Sequence, residues 1–427
     1  MSQSKANAHA LLREGAPASR TMVARTARPA VDLIYFNAGG GHRASALALE
    51  AAIRRSGLPW VVRLVNLRSL LDPRDGFRRL TGMDPEDVYN KRLARGWTAG
   101  LSQELKLLQR LIRWSHAPMV RRLQQHWLRT EPDLVVSLIP NFNRALCQSL
   151  ASSLPGVPYV TVLTDLADLP PHFWIERGQV QHFVCGSERA VQQALAAGHA
   201  PARVHATSGM VIRGDFYRPP LADRAAERRR LGLDPERPTG IVLFGGQGSA
   251  AMLGIARRLA DTPLILACGH NESLARALRQ LPARAPRVVL GFTPEIARYM
   301  QLADFLIGKP GPGSLSEAMQ MELPVIVLRN RYTLPQERYN AEWVQEKGVG
   351  LLLPSFSAIE PAVARLVQGL DGYRAATRAI RNRAAFELPG ILAGILAESS
   401  GGAGVGASGW QPSPMDMDLD VDLSPKA

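Results

Sequence analysis

The sequence predicts an α/β protein built from two successive parallel-sheet domains, and three observations carry that expectation. Short apolar runs recur along the chain, among them residues 31–36, 134–140, 159–163, 183–185, 241–244, 264–268, 288–290, 305–307 and 325–328. They have strand length and are rich in Val, Ile and Leu. Stretches of helical periodicity separate them, which is the alternation that builds parallel sheets. Twice, a run leads into a glycine cluster that opens a helical pattern: residues 31–36 into Gly39, Gly40 and Gly41, and residues 241–244 into Gly245, Gly246 and Gly248. Such a turn lets a ligand approach the helix N-terminus.

With 427 residues, 46% of them hydrophobic and 21% charged, the chain exceeds one ordinary domain and has the apolar content of a globular core. The apolar runs are far shorter than the roughly 20 residues that span a bilayer. Residues 1–29 are rich in Arg, Ala and Ser without a continuous apolar segment, and are expected to be disordered. A first domain is placed at 30–215, ending where Arg218-Pro219-Pro220 breaks regular structure before a charged helix at 223–231, and a second at 216–397. Residues 398–427 read as a Gly/Ser linker followed by an acidic tail. Cys147, Cys185 and Cys268 are far apart and lack CxxC spacing, which argues against a disulfide framework or a zinc site and fits a reducing cytoplasm.

The formal charge of +14 implies an anionic partner. From Arg54 to Arg129 sixteen Lys and Arg residues face six Asp and Glu, interleaved with Trp60, Trp97, Trp114 and Trp127. Basic residues mixed with Trp suit an anionic membrane surface; the alternative is a set of solvated helix faces. Leu101, Leu105, Leu108, Leu111 and Ile112 have helical spacing within this segment. A nucleic-acid partner is not expected, because no binding motif accompanies the charge.

Four segments carry chemistry. In the first glycine turn, His42 stands at a strand–helix junction, where a neutral imidazole can accept a proton near pH 7. Gly245, Gly246, Gly248 and Ser249 can present backbone N–H groups to a diphosphate. The segment GKPGPGSLSEA (residues 308–318) supplies another helix N-terminus, with Gly311, Gly313 and Ser314 at its start and Glu317 one turn inside, placed to accept both ribose hydroxyl hydrogens. Lys309 precedes the turn instead of closing it, which is not the spacing of a Walker P-loop. Gln336 and Glu337 offer an amide and a carboxylate side by side for the hydroxyls of a hexose, the alternative being an ordinary helix start at Pro335.

In order along residues 30–395, the segments GGGHRASA (39–46), VYN with a following GW (88–97), VTVLTDL (160–166) with His172 and Trp174, GKPGPGSLSEA and PQERYN (335–340) resemble the monogalactosyldiacylglycerol synthase and processive diacylglycerol glucosyltransferase group of glycosyltransferase family 28. The resemblance implies a GT-B fold, two Rossmann-like domains facing an interdomain cleft, with acceptor on the N-terminal side, donor on the C-terminal side, and a last helix returning to the first domain. It implies an inverting hexosyltransferase that makes a β-glycosyl-diacylglycerol from a UDP-sugar, peripheral on the inner face of the plasma membrane. His42 becomes the candidate base, with Asp165 either orienting it or acting as base itself. The donor set is Gly245, Gly246, Gly248, Ser249, Phe292 beside the uracil, Gly311, Gly313, Ser314, Glu317 at the ribose, Gln336 and Glu337 at the sugar, and Asn340. The acceptor set is Gly40, Gly41, Tyr89, Asn90 and Trp97.

The sequence departs from the family pattern where Leu334-Pro335 directly precedes Gln336 and where Ser314 replaces a common Thr, which leaves the choice of sugar open. No DxD carboxylate pair stands where a strand would present it, so no essential metal or cofactor is expected. Helix N-termini after Gly248 and Gly313 are expected to stabilise the leaving diphosphate instead.

Overall fold

A computed structural model describes residues 28–37, 41–72 and 101–400. Gly40, Tyr89, Asn90 and Trp97 of the expected acceptor set lie outside the described residues, as do most of the expected N-terminal extension and C-terminal tail. The first half runs β1 (Ala30–Tyr35), α1 (Gly41–Arg55), β2 (Val61–Asn66), α2 (Leu67–Leu71), α3 (Leu101–Trp114), α4 (His116–Thr130), β3 (Leu134–Ser137), α5 (Asn143–Ser153), β4 (Tyr159–Val162), β5 (His182–Cys185), α6 (Glu188–Ala196) and β6 (Val204–Ala206). The second runs α7 (Arg224–Arg230), β7 (Gly240–Leu243), α8 (Ala251–Arg258), β8 (Leu264–Ala267), α9 (Glu272–Arg279), β9 (Arg287–Leu290), α10 (Ile296–Leu302), β10 (Phe305–Gly308), α11 (Pro312–Gln320), β11 (Val325–Leu328), α12 (Arg338–Glu346), β12 (Gly350–Leu353), α13 (Ile359–Gln368), α14 (Leu370–Arg378) and α15 (Ala384–Ser399).

The strands form two six-stranded sheets, ordered β2-β1-β3-β4-β5-β6 and β12-β11-β10-β7-β8-β9. Every adjacent pair is parallel. A parallel sheet is covered by helices on both faces, so its strands are apolar throughout; β3, β4, β7, β8 and β10 are buried at every position. Strand order reverses between β1 and β3 in one sheet and between β7 and β10 in the other. Ligands of open α/β sheets bind at such switch points, beyond the carboxyl ends of the strands. His42 lies in the opening turn of α1, the helix that follows β1 in the chain, and two glycine segments of the second half, 245–249 and 308–313, flank the β7/β10 switch.

Two chain crossings join the halves. Asn382, before α15, donates through Nδ2 to the Met210 carbonyl at 2.8 Å, and its side chain fills the space where a Cβ on Gly209 would stand, 2.7 Å from Asn382 Cγ. Ser208 Oγ accepts from the Arg383 N–H at 2.6 Å, while the Ser208 N–H donates to Glu387 at 2.8 Å. α15 then packs on the first half: Ala384, Leu388, Leu392 and Ile395 share a core with Leu49 and Ile53 of α1 and Val136 of β3. It ends at Ser399, slightly beyond the expected limit of 397.

The second half is fastened at Asp304, before β10. Its carboxylate accepts from the Thr239 N–H at 2.7 Å, from Arg224 at 2.9 Å and from Arg374 at 2.6 Å, and also from the buried Arg228. Removing one partner of a buried ion pair strands the other charges. Asp304→Ala is therefore expected to lower the unfolding free energy by about 3–5 kcal/mol in urea denaturation of the full chain; a loss below about 1 kcal/mol would show the network to be dispensable.

Candidate active site in the interdomain cleft

On the first half, His42 lies in the opening turn of α1, with Nδ1 3.2 Å from Thr164 Oγ1. Its ring stands edge-on to Trp174, the centroids 6.0 Å apart. Burial pushes the imidazole down to about 4, against the opposing pull of the Leu138 carbonyl, so it is neutral at physiological pH. Trp174 is wholly buried; it donates through Nε1 to Asp165 Oδ2 at 2.8 Å, and its own N–H is held by Asp168 Oδ1 at 2.7 Å. The imidazole thus has Thr164 as its side-chain partner, while Oδ2 of the neighbouring Asp165 is turned to the indole. Both Thr164 and Asp165 come from the loop after β4, at the carboxyl edge of the sheet.

On the second half, Lys309 Nζ donates to Glu337 Oε1 at 2.7 Å. The pair lies over Gly311, the N-cap of α11: a Cβ there would stand 3.4 Å from Lys309 Cε and 3.8 Å from Glu337 Oε1. Asp165 feels both charges. Burial pushes its carboxyl up to about 7, against the Trp174 hydrogen bond; Glu337 raises it further and Lys309 opposes the rise. Charges of the second half thus act across the cleft on Asp165 of the first. A second bridge places the Arg189 guanidinium of α6 5.9 Å from the ring centroid of Tyr339 in α12.

Glu317 is one turn inside α11, apart from Glu337, with Arg213 and Asp215 as its charged neighbours; burial pushes it up to about 7, against the Arg213 guanidinium. Gly313 has open space where a Cβ would stand, and Ser314 and Gln336 are half-buried. In the other glycine turn, Gly245 and Gly248 have φ of 74° and 60°, and a Cβ on Gly248 would come 2.7 Å from the Cys268 carbonyl oxygen, so glycine is required there. Ser249 Oγ accepts from the Ala251 N–H at 3.3 Å. Gly41 opens α1 beside His42.

Phe292 is 60% exposed, and its ring stacks on His270 with centroids 4.1 Å apart and planes 14° from parallel. This forms a flat, exposed aromatic platform on the second half. The sequence reading missed His270; its only local signal is a Gly-His dipeptide after β8. Asn340 is corrected: it is fully buried and donates to the Pro310 carbonyl at 3.0 Å, so it holds the glycine turn from behind instead of lining the donor pocket. Among the described residues, no group of three or more His, Cys, Asp or Glu is placed to hold a metal ion.

Residues 241–385 match the profile of the glycosyltransferase family 28 C-terminal domain. The chain is 28% identical over 341 residues to a probable chloroplastic monogalactosyldiacylglycerol synthase 2 of Oryza sativa subsp. japonica, covering 75% of the chain and 69% of the relative. It is also 28% identical over 346 residues to monogalactosyldiacylglycerol synthase 1 of Arabidopsis thaliana, covering 78% of the chain and 63% of the relative. The chain thus spans about two thirds of the length of these curated relatives. Among solved structures, Acinetobacter baumannii MurG matches with a TM-score of 0.54 at 12% identity, over 86% of this chain and 100% of that one. The glycosyltransferase SnogD of Streptomyces nogalater matches with a TM-score of 0.55 at 18% identity, over 87% and 100%. These likenesses show the fold, which is GT-B.

A carboxyl-resolved 13C titration is expected to show two midpoints near pH 7, one absent in Asp165→Asn and the other in Glu317→Gln. If both instead titrate at the ordinary values of about 4, the cleft does not desolvate them.

Proposed function

We propose that this protein transfers a hexose from a UDP-sugar to diacylglycerol, giving a β-glycosyl-diacylglycerol with inversion at the anomeric carbon. The observation that carries the reading is a neutral imidazole on one wall of the cleft, with Asp165 beside it facing the Lys309–Glu337 pair over a helix N-terminus on the other wall. The printed names of the plant relatives and the family 28 domain support the same chemistry.

The donor is assigned to the second half. Its uracil lies on the Phe292–His270 platform, Glu317 accepts the ribose hydroxyls, and the glycine turns at 245–249 and 311–314 present N–H groups to the diphosphate. Gln336 and Glu337 hold the hexose. The acceptor hydroxyl enters from the first half beside His42. His42 accepts the hydroxyl proton as the oxygen bonds to the anomeric carbon, the bond to UDP breaks, and the charge that develops on the diphosphate is stabilised by oriented backbone dipoles. No essential metal is assigned.

The lipid acceptor gains support from α3. Its inner face, Leu105, Gln109 and Ile112, packs down, and Gln109 donates to Asn141 Oδ1 at 3.1 Å and to the Pro171 carbonyl at 3.3 Å, in loops at the carboxyl edge of the sheet. Its outer face exposes Leu107, Leu108, Leu111 and Trp114, the last at 86%. Lys106, Arg110 and Arg113 form a parallel exposed row beside that stripe. An apolar stripe edged with basic residues suits the interface of an anionic bilayer. No helix of the described residues is long and apolar enough to cross a membrane.

His42→Ala is expected to lower kcat by at least about a hundredfold while leaving UDP affinity within about twofold of wild type. The assay uses diacylglycerol-containing vesicles with each UDP-hexose and identifies the lipid product by mass. Retained transfer would remove His42 from the chemistry, and no glycolipid from any donor would overturn the proposed reaction. Leu111→Glu with Trp114→Glu is expected to abolish cosedimentation with phosphatidylglycerol vesicles and leave UDP binding intact; unchanged cosedimentation would exclude α3 as the contact.

A further inference from the structure

We propose that Lys309 is a shared cation, which neutralises Glu337 in the structure described here and turns to the diphosphate when a nucleotide sugar binds, releasing the Glu337 carboxylate for the sugar hydroxyls. The inference rests on the donor placement proposed above. It makes Lys309 a ligand-binding residue and, through Glu337, a positioning residue for the sugar.

Four observations lead to it. Lys309 directly follows β10, at the sheet's switch point, where its stem leans on the turn that opens α11. Its ammonium is engaged by Glu337 at 2.7 Å, and the two side chains differ in exposure, Lys309 at 35% and Glu337 at 7%. The cation is therefore the more accessible partner of the two, whereas the carboxylate is buried at the end of a short helical turn, Pro335–Glu337, just before α12. Finally, Gly311 is the N-cap of α11, and the ion pair lies within 4 Å of its Cα substituent position. A diphosphate received by that N-terminus is thus brought beside the ammonium.

The charge arithmetic favours the exchange. A diphosphate carries more negative charge than one carboxylate, and a compact ammonium on a flexible stem can reorient toward it. Glu337 does not lose all compensation, because hexose hydroxyls donate to a carboxylate that accepts through two oxygens. Binding of the sugar and binding of the diphosphate are thereby coupled through one side chain. A lysine whose only role is to fasten Glu337 would show no such coupling.

The two roles predict opposite signs. With the full chain and calorimetric titration of UDP and uridine, Lys309→Met is expected to weaken UDP binding by about tenfold or more and leave uridine unchanged. Glu337→Gln, which leaves the ammonium without its carboxylate, is expected to tighten UDP several-fold while weakening the UDP-hexose that the wild type prefers. Lys309→Arg keeps the charge and is expected to retain most UDP affinity, which separates charge from folding; thermal melts of each variant check that it folds. If UDP affinity is unaltered in Lys309→Met, or falls in Glu337→Gln, the shared-cation role is overturned. If wild-type protein binds neither UDP nor uridine, the donor assignment itself fails, which is a different result from a variant that matches a binding-competent wild type.

Discussion

The cleft exists in its present form because Asn382 is seated against Gly209. The two crossings between the halves meet at that point, and the fit admits no side chain on the glycine. Hydrogen bonds from Asn382 to Met210, and between Ser208 and the start of α15, fix the crossings to each other. With the crossings tied, the carboxyl edges of the two sheets are held facing each other. Asp165 then comes close enough to Lys309 and Glu337 for their charges to act on it. A parallel sheet leaves almost no other place for polar function, since its faces are covered and its strands are apolar.

The cleft is electrostatically unusual for a chain of this net charge. Beside the Lys309–Glu337 ion pair, burial acts against charge on three groups: it lowers His42 to about 4 and raises Asp165 and Glu317 to about 7. Burial disfavours the charged form of acid and base alike, so it lowers the imidazole and raises the carboxyls. The basic surplus lies elsewhere, in part along α3. Attraction of an anionic surface and recognition inside the cleft are therefore separate jobs done by separate residues.

Much of the fold was legible because its signals are local. Strand-length apolar runs and glycine clusters after strands depend on a few consecutive residues, and the structure places the runs in two parallel sheets, with the glycine segments 245–249 and 308–313 at the switch point of the second. The charged helix expected at 223–231 was legible for the same reason, and it spans Arg224–Arg230 with Asp223 as its N-cap. What escaped depends on contacts between distant residues. Thr164 as the partner of His42 spans 122 positions, and the Lys309–Glu337 pair spans 28. His270 meets Phe292 only because β8 and β9 are neighbours in the sheet. Asn340 was misjudged because a motif position says nothing about which way a side chain points.

The last helix also has a meaning for how the chain reaches its native state. α15 completes the core around Leu49 and Ile53, more than three hundred residues upstream. During synthesis the first sheet emerges early, yet one of its helical faces stays uncovered until the second half has been made. The halves are thus not a pair of independent modules joined end to end; each is bracketed by the other. A chain cut between α14 and α15 would leave the N-terminal half with an open apolar groove of definite shape, and the missing sixteen-residue helix, supplied as a separate peptide, is the natural complement to it.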